Sequence, residues 1–192
     1  MFRKMIFFLC MSLALGAGQQ VMSQEVGEAA FGVKGGVNIS SLGGNASQIG
    51  SAKFGFHAGI YFAARVSDGI AFQPELVYSQ QGFQVNSALI NAVAFNYNYL
   101  NLPLLAKIYV ADGTSVQVGP QLGYLLNSGE LEAVKKVDVA LAMGLGYEVA
   151  SGLNFSLRYN LGLLNTVVNA PNLSSSSTNR VFQLAIGYTF NN

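Results

Sequence analysis

The sequence is poor in charged side chains. Only 10% of its 192 residues are Asp, Glu, Lys or Arg, whereas 51% are hydrophobic. A soluble domain carries about 25% charged residues, so this chain has difficulty covering an outer surface with charge. The formal net charge is +1 at pH 7, and this balance gives no indication of a nucleic acid as partner.

Cysteine and histidine are nearly absent as well. The single cysteine, Cys10, lies in the first segment of the chain, which excludes a disulfide framework and a cysteine-based metal site. His57 is the one histidine. The sequence contains no phosphate-binding loop, metal-ligand spacing or nucleotide motif. We therefore expect no cofactor and no bound metal.

Long hydrophobic runs are missing except near the N-terminus. There the sequence MFRKMIFFLCMSLALGAG places Arg3 and Lys4 before an apolar run, Met5–Leu15, and small residues follow. This order is typical of a secretory signal peptide, and the run is shorter than the about 20 residues of a membrane-spanning helix. The sequence predicts a signal peptide over residues 1–23, cut after Ser23 or alternatively after Gly18, and one domain over residues 24–192.

The remaining chain alternates large apolar residues with small or polar ones, which is the period of a β-strand. Residues 182–190 show this clearly, with Phe, Leu, Ile, Tyr and Phe at every second position. A tilted membrane strand needs on the order of 9–11 residues, and each run reaches this length. The eight runs are Ala30–Ser40, Lys53–Val66, Gly69–Gln81, Phe95–Val110, Thr114–Asn127, Val137–Val149, Leu153–Asn165 and Asn179–Phe190.

Short turns and longer polar links alternate between these runs. The short turns contain Gly or Asp-Gly, which supply the positive φ of a tight hairpin. An up-and-down barrel with both termini in the periplasm and the long loops outside produces this order. The sequence thus predicts an all-β fold, an eight-stranded antiparallel up-and-down transmembrane β-barrel. The turns are residues 67–69, 111–113 and 150–152, and the links are residues 41–52, 82–94, 128–136 and 166–178.

The distribution of charge predicts which side of the sheet faces outward. We expect the apolar registers to be free of charge, because a charge facing lipid near the bilayer midplane costs about 2–4 kcal/mol. The other register is mostly Gly, Ala, Asn and Gln, which are too small and neutral for a solvated surface and suit a narrow barrel interior. A soluble lipocalin-like barrel is therefore disfavoured. The charges expected to point inward are Lys34, Arg65, Glu75, Lys107, Asp138, Glu148 and Arg158.

Prolines and tyrosines add expectations about the barrel wall. Three prolines fall inside strands although proline cannot donate to a β-ladder, so we expect bulges, local widening or a one-residue change of register at Pro74, Pro103 and Pro120. Membrane barrels carry aromatic girdles at the two interfaces. The candidates for these girdles are Tyr78, Tyr124, Tyr147 and Tyr188.

Two motifs carry a family resemblance, QPELVYSQQG at residues 73–82 and YLNLPLL at residues 99–105. Together with the order of the other strands, they resemble the small PorT-like outer-membrane β-barrel proteins over nearly the whole mature chain. The resemblance implies an eight-stranded barrel in the outer membrane of a Gram-negative bacterium and accommodates the prolines within the motif. It implies little about activity.

The last strand resembles the signal that is read by the outer-membrane assembly machinery. Tyr188 and Phe190 match its last two aromatic positions, whereas Ala185 stands where a glycine is usual. The expected partners are therefore the lipid bilayer and this machinery during insertion, and the sequence identifies no other protein partner.

The inward charges predict a plug held by ion pairs. Counted from the tight turns, Glu75 and Arg158 stand at similar heights, with Lys107 and Lys34 slightly lower. We expect Glu75 to bridge at least one of these three cations, because an unpaired buried charge is strongly destabilising. Such a network would block the passage of solutes.

Catalytic chemistry has little support in the sequence. We expect His57 to be an interior residue that is hydrogen-bonded to Gln or Tyr, although Ser79 and Ser156 are conceivable partners for a Ser–His pair. We therefore predict a non-enzymatic outer-membrane barrel with a structural or surface-interaction role. A narrow porin-like channel and a lipid-modifying enzyme are the alternatives.

Overall fold

In the computed structural model, eight β-strands make up nearly all of the described residues, and each has an alternating pattern of apolar and small or polar residues. The structure describes residues 27–44, 50–87, 90–127, 135–164 and 177–190, so the predicted signal peptide lies outside the described residues. The strands are β1 (Ala29–Gly44), β2 (Gly50–Ser67), β3 (Ile70–Ser87), β4 (Ile90–Ala111), β5 (Thr114–Asn127), β6 (Val137–Glu148), β7 (Leu153–Gly162) and β8 (Ser177–Phe190).

The strands close into a barrel in chain order. Each pairs antiparallel with its neighbours, and β8 returns to β1, where Phe31 lies opposite Phe190 with ring centroids 6.1 Å apart. Closure matters in a bilayer because lipid offers no hydrogen-bond partner to a free strand edge. The predicted eight-stranded antiparallel barrel is confirmed. Among the described residues, no helix is both long and apolar enough to cross a membrane.

The apolar register faces outward and the polar register faces the barrel interior. Phe56, Leu157 and Ile186 have 51%, 38% and 56% of their surface exposed, whereas Glu75 and Arg158 each retain 2%. With few exceptions, large apolar residues contact the surroundings of the barrel while amides and charges are packed inside. In a water-soluble barrel the apolar side chains would face inward and the polar side chains outward.

One charge breaks the expected rule. Arg180 lies in the outward register of β8 and is exposed, so the prediction that no charge falls in an apolar register is wrong at this position. Its side chain extends over Gly43 of the neighbouring strand, where a Cβ would collide with it. Arg180 lies near the end of β8 that is farther from the tight turns, from which a long basic side chain can reach the polar interface.

The tight turns lie where the sequence predicted them, but two of the long links are largely strand. Gly113 and Gly152 have positive φ values of 68° and 88°, whereas the φ of Gly69 is not positive. β1 continues to Gly44 along β8, and β3 and β4 pair as far as Ser87 and Ile90. Links predicted over residues 41–52 and 82–94 are therefore mostly paired strands. Backbone pairing with a neighbour extends beyond the point where the side-chain alternation breaks.

The three prolines interrupt the ladder without shifting it. At each proline, pairing with the preceding strand skips two positions and resumes in the same register, so the predicted bulges and register changes are wrong and a local loss of pairing is found. The proline has no N–H to donate, but the rest of the ladder holds its alignment. The pairs flanking the gaps are Tyr61–Glu75 and Ala64–Phe72, Pro74–Leu104 and Val77–Asn101, and Pro103–Gln121 and Ala106–Val118.

Candidate functional site

A cluster of charged and amide side chains crosses the middle of the barrel interior. Its members come from alternate strands: β1, β3, β5 and β7. We call it the central cluster, and it consists of Lys34, Gln73, Glu75, Gln117 and Arg158. Every one of these side chains is at least nine-tenths buried. Inward residues of alternate strands form layers in narrow barrels, and this layer is polar.

Glu75 is the centre of this cluster. Arg158 donates two parallel hydrogen bonds to its carboxylate, from Nη1 to Oε2 at 2.7 Å and from Nη2 to Oε1 at 2.8 Å. Lys34 Nζ lies 3.0 and 3.3 Å from the two oxygens, and Gln73 Nε2 donates to Oε1 at 2.8 Å. Because β3 and β7 are opposite each other in the closed ring, the pair between Glu75 and Arg158 spans the barrel.

Lys107 lies outside the cluster, unlike Lys34 and Arg158. It forms an ion pair with Glu148, nearer the tight turns, and the Tyr109 hydroxyl donates to the same carboxylate at 3.2 Å. The Arg65 guanidinium lies over the Tyr109 ring, 4.4 Å from its centroid. The interior therefore holds a second charged group below the first, which sequence reasoning did not anticipate.

Inward-facing glycines leave the space for these long side chains. A Cβ at Gly146 would lie only 2.6 Å from Gln117 Nε2 and 2.9 Å from Ser115 Oγ. A Cβ at Gly32 would collide with the Tyr61 ring, whose hydroxyl lies 2.7 Å from Thr189 Oγ1. The small residues of the polar register are thus what allow large ones to cross the interior.

A layer of neutral polar groups lies above the central cluster. Asn38 Nδ2 donates to Ser79 Oγ at 3.0 Å, while its Oδ1 accepts from Gln183 Nε2 at 3.0 Å and lies 2.7 Å from His57 Nδ1. The predicted Gln or Tyr partner of His57 is therefore wrong, since the partner is Asn38. His57 pairs across the strands with Gly36, whose missing side chain leaves the ring free to reach Asn38.

The two candidate serines are placed differently. Ser79 lies opposite His57 in the β2–β3 pairing, but its Oγ accepts from Asn38 and from Gln81, both at 3.0 Å. Ser156 is half-buried on β7. The hydrogen bonds of His57 and Ser79 both lead to Asn38, so the described geometry does not activate the serine hydroxyl.

Aromatic and polar side chains pack in the interior farthest from the tight turns. Tyr97, Tyr99 and Leu125 are buried together, with Phe83 and Phe95 packed against them. Asn179 Nδ2 donates to Asp138 Oδ2 at 3.1 Å and lies 3.5 Å from the Tyr99 hydroxyl. Lys53, an inward charge that the sequence analysis did not name, hydrogen-bonds to Asn96. Side chains from several strands therefore fill this level as well.

The predicted girdle and assembly residues lie on the outer surface. Tyr124, Tyr147 and Tyr188 are exposed, and Tyr78 is partly covered by Phe56, with ring centroids 5.8 Å apart. Tyr188 and Phe190 make an edge-to-face contact at 5.2 Å. Their role as an assembly signal stays a prediction.

Comparison with protein families identifies the chain. A model of the outer membrane protein beta-barrel domain matches residues 18–168, which is most of the chain. The chain belongs to this outer-membrane barrel family. The family and the closed barrel together make the protein an integral outer-membrane protein. The resemblance to small outer-membrane barrels is confirmed at this level, and the PorT-like subgroup stays a prediction.

Solved outer-membrane barrels share its fold. Ail, the attachment invasion locus protein of Yersinia pestis, is 14% identical with a TM-score of 0.54, and the match covers 86% of this chain and 100% of that chain. OprG from Pseudomonas aeruginosa is 14% identical with a TM-score of 0.56, over 90% and 100%. Neisserial surface protein A is 11% identical with a TM-score of 0.56, over 85% and 99%. Identities this low bear on the fold alone. The comparison with curated proteins gave no match.

Proposed function

We propose that this outer-membrane barrel is a non-enzymatic scaffold with a plugged interior, which anchors its loops at the cell surface or supports the envelope. The observation that carries the proposal is the Arg158–Glu75 pair, because it spans the interior and is held by Lys34 and Gln73. Passage of a hydrated solute would require this buried pair to separate. Removing one partner of such a pair is strongly unfavourable.

The proposal includes the topology of the protein in the membrane. The segment over residues 1–23 acts as a cleaved signal peptide, and both termini lie in the periplasm with the tight turns. The alternation of tight turns with longer connections supports this orientation, since membrane barrels keep short turns on the periplasmic side. The motifs QPELVYSQQG and YLNLPLL support membership of the PorT-like subgroup.

Planar bilayer recordings test the plug. The purified barrel is expected to give no conductance steps, because the Arg158–Glu75 pair spans the interior and buried side chains pack above and below it. Steps that persist in several independent preparations would instead favour the alternative, a narrow porin-like channel. If no steps are seen, a pull-down from native outer membranes would identify the partners of the proposed scaffold.

The enzyme alternative has a separate test. A lipid-modifying activity would change the lipid A or phospholipid profile when the protein is overexpressed. We expect unchanged profiles, because the hydrogen bonds of His57 and Ser79 lead to Asn38. A new lipid species that disappears in the Ser79→Ala variant would contradict the proposal.

The proposed assembly signal can be tested on the last strand. Replacing Tyr188 and Phe190 together by Ala is expected to lower the fraction of heat-modifiable, folded protein in the outer membrane of cells. Phe182 and Leu184 lie on the same outward face of β8 but outside the proposed signal, so their double Ala variant is the matched control. Equal losses in both variants would show that the fraction of folded protein depends on outward apolar area and not on an assembly signal at Tyr188 and Phe190.

A further inference from the structure

A small cavity lies between the central cluster and the tight turns. The space in it that a water-sized particle can occupy is about 10 Å³, which is room for roughly one such particle. Lys34, Lys107, Gln117, Ser156 and Glu148 are among the residues that line it. The cavity therefore lies where both charged groups of the interior meet.

The charges around this cavity do not balance. In the part of the chain that the structure describes, the ion pairs near the cavity join three positive side chains, Lys34, Lys107 and Arg158, to two negative ones, Glu75 and Glu148. Arg65, whose guanidinium lies over the Tyr109 ring, is a further positive charge near this group. Glu75 is shared by two cations, and Glu148 is held by Lys107. Among these five ion-paired groups one positive charge is left in excess, and the groups are largely buried, where an uncompensated charge is expensive.

Hydrogen-bond donors converge on the same space. The ammonium groups of Lys34 and Lys107 belong to residues that line the cavity, and Gln117 Nε2 lies beside Gly146, another lining residue. Glu148 also lines the cavity, but its carboxylate accepts from Lys107 and from the Tyr109 hydroxyl.

We propose that this cavity binds one small monovalent anion, of the size and charge of chloride. A water molecule would fit the volume but would leave the positive charge uncompensated. The small space favours an ion of this size over phosphate or sulfate. The anion would complete the charge balance of the plug from the side of the tight turns, whether or not the barrel has a scaffolding role.

The stability of the purified, refolded barrel tests the proposal. Thermal unfolding is followed by heat-modifiable gel mobility while sodium chloride replaces sodium gluconate at constant ionic strength, so that screening does not change. A ligand that binds only the folded state raises the midpoint in a saturable way. We expect such a rise with chloride. Coincident midpoints across the whole replacement series would overturn the proposal.

Two lysine variants locate the effect. Lys34→Met removes the excess charge and leaves the Arg158–Glu75 pair intact, so its midpoint should not respond to chloride. Lys53→Met removes another buried lysine that is not among the residues lining the cavity, and it should respond as the parent does. A chloride response in Lys34→Met equal to that of the parent would contradict an anion site beside Lys34.

Crystals of the unmodified protein give a test that does not depend on the folding of a variant. Bromide replaces chloride in the crystallisation solution, and its anomalous signal marks bound anions. The proposal expects a peak within the cavity beside Lys34 and Lys107. Bromide found only on the protein surface would contradict it.

Discussion

Replacing Glu75 by glutamine should lower the free energy of unfolding by about 3–5 kcal/mol. The substitution preserves shape but removes the negative charge that Lys34 and Arg158 share. Both cations would then remain buried without a carboxylate, and the plug would lose its centre. Urea titration of the barrel refolded into lipid vesicles measures the change. A variant that unfolds at the same urea concentration as the parent would remove the evidence for a stabilising cluster.

Glu148→Gln is the matched control for this experiment. Glu148 also pairs with a lysine, but 23% of its side chain is exposed, whereas the side chain of Glu75 has none. Glu148→Gln also leaves only Lys107 without a carboxylate, whereas Glu75→Gln leaves both Lys34 and Arg158 without one. We expect a clearly smaller loss of stability for Glu148→Gln than for Glu75→Gln. Equal losses would mean that burial in the central cluster does not increase the contribution of an ion pair to the free energy of unfolding.

An arginine at Leu157 is expected to destabilise the barrel by about 2–4 kcal/mol, because this position faces lipid at the height of the central cluster. Leu157 is on the outward face of β7, next to Arg158, and pairs with Leu145 and Leu184. The same charge that stabilises the interior from position 158 should thus be harmful one residue earlier. Urea titration in vesicles gives the free energy of folding.

Leu163→Arg is the control on the same side of the sheet. Leu163 follows the end of β7 and is 57% exposed, so an arginine there can reach the polar interface. The expected loss is about 0–1 kcal/mol. Losses near zero at both positions would mean that water, rather than lipid, covers the outer surface. Such a result would contradict the membrane orientation of the sheet.

The interior partners were only partly predictable. Counting residues up from the tight turns placed Glu75 near three cations, yet Lys107 pairs with Glu148 instead. Such counting measures height along each strand and leaves out the stagger between strands. This stagger decides which side chains contact each other across the interior. The polar residues Gln73 and Gln117 were inward by register, but nothing in the sequence distinguished them from other amides.

The strand boundaries and the prolines show a similar limit. Side-chain alternation ends near Ser40 and Gln81, whereas β1 and β3 extend to Gly44 and Ser87 because neighbouring strands continue to pair with them. Pro74, Pro103 and Pro120 looked like sites of bulges. In the closed sheet the residues around each proline are held in register by the remaining ladder, and only local pairing is lost.

Local pattern was sufficient for the number of strands, their antiparallel order and the lipid-facing side, since successive side chains of a strand point to opposite faces. These are properties of one strand or one turn at a time. The pairing of Glu75 with Lys34 and Arg158, the partner of His57 and the cavity below the central cluster depend on closure of the barrel. In a closed barrel, the offsets between all eight pairs of neighbouring strands together decide which side chains face each other. Residues distant in sequence therefore meet only when the last strand pairs with the first.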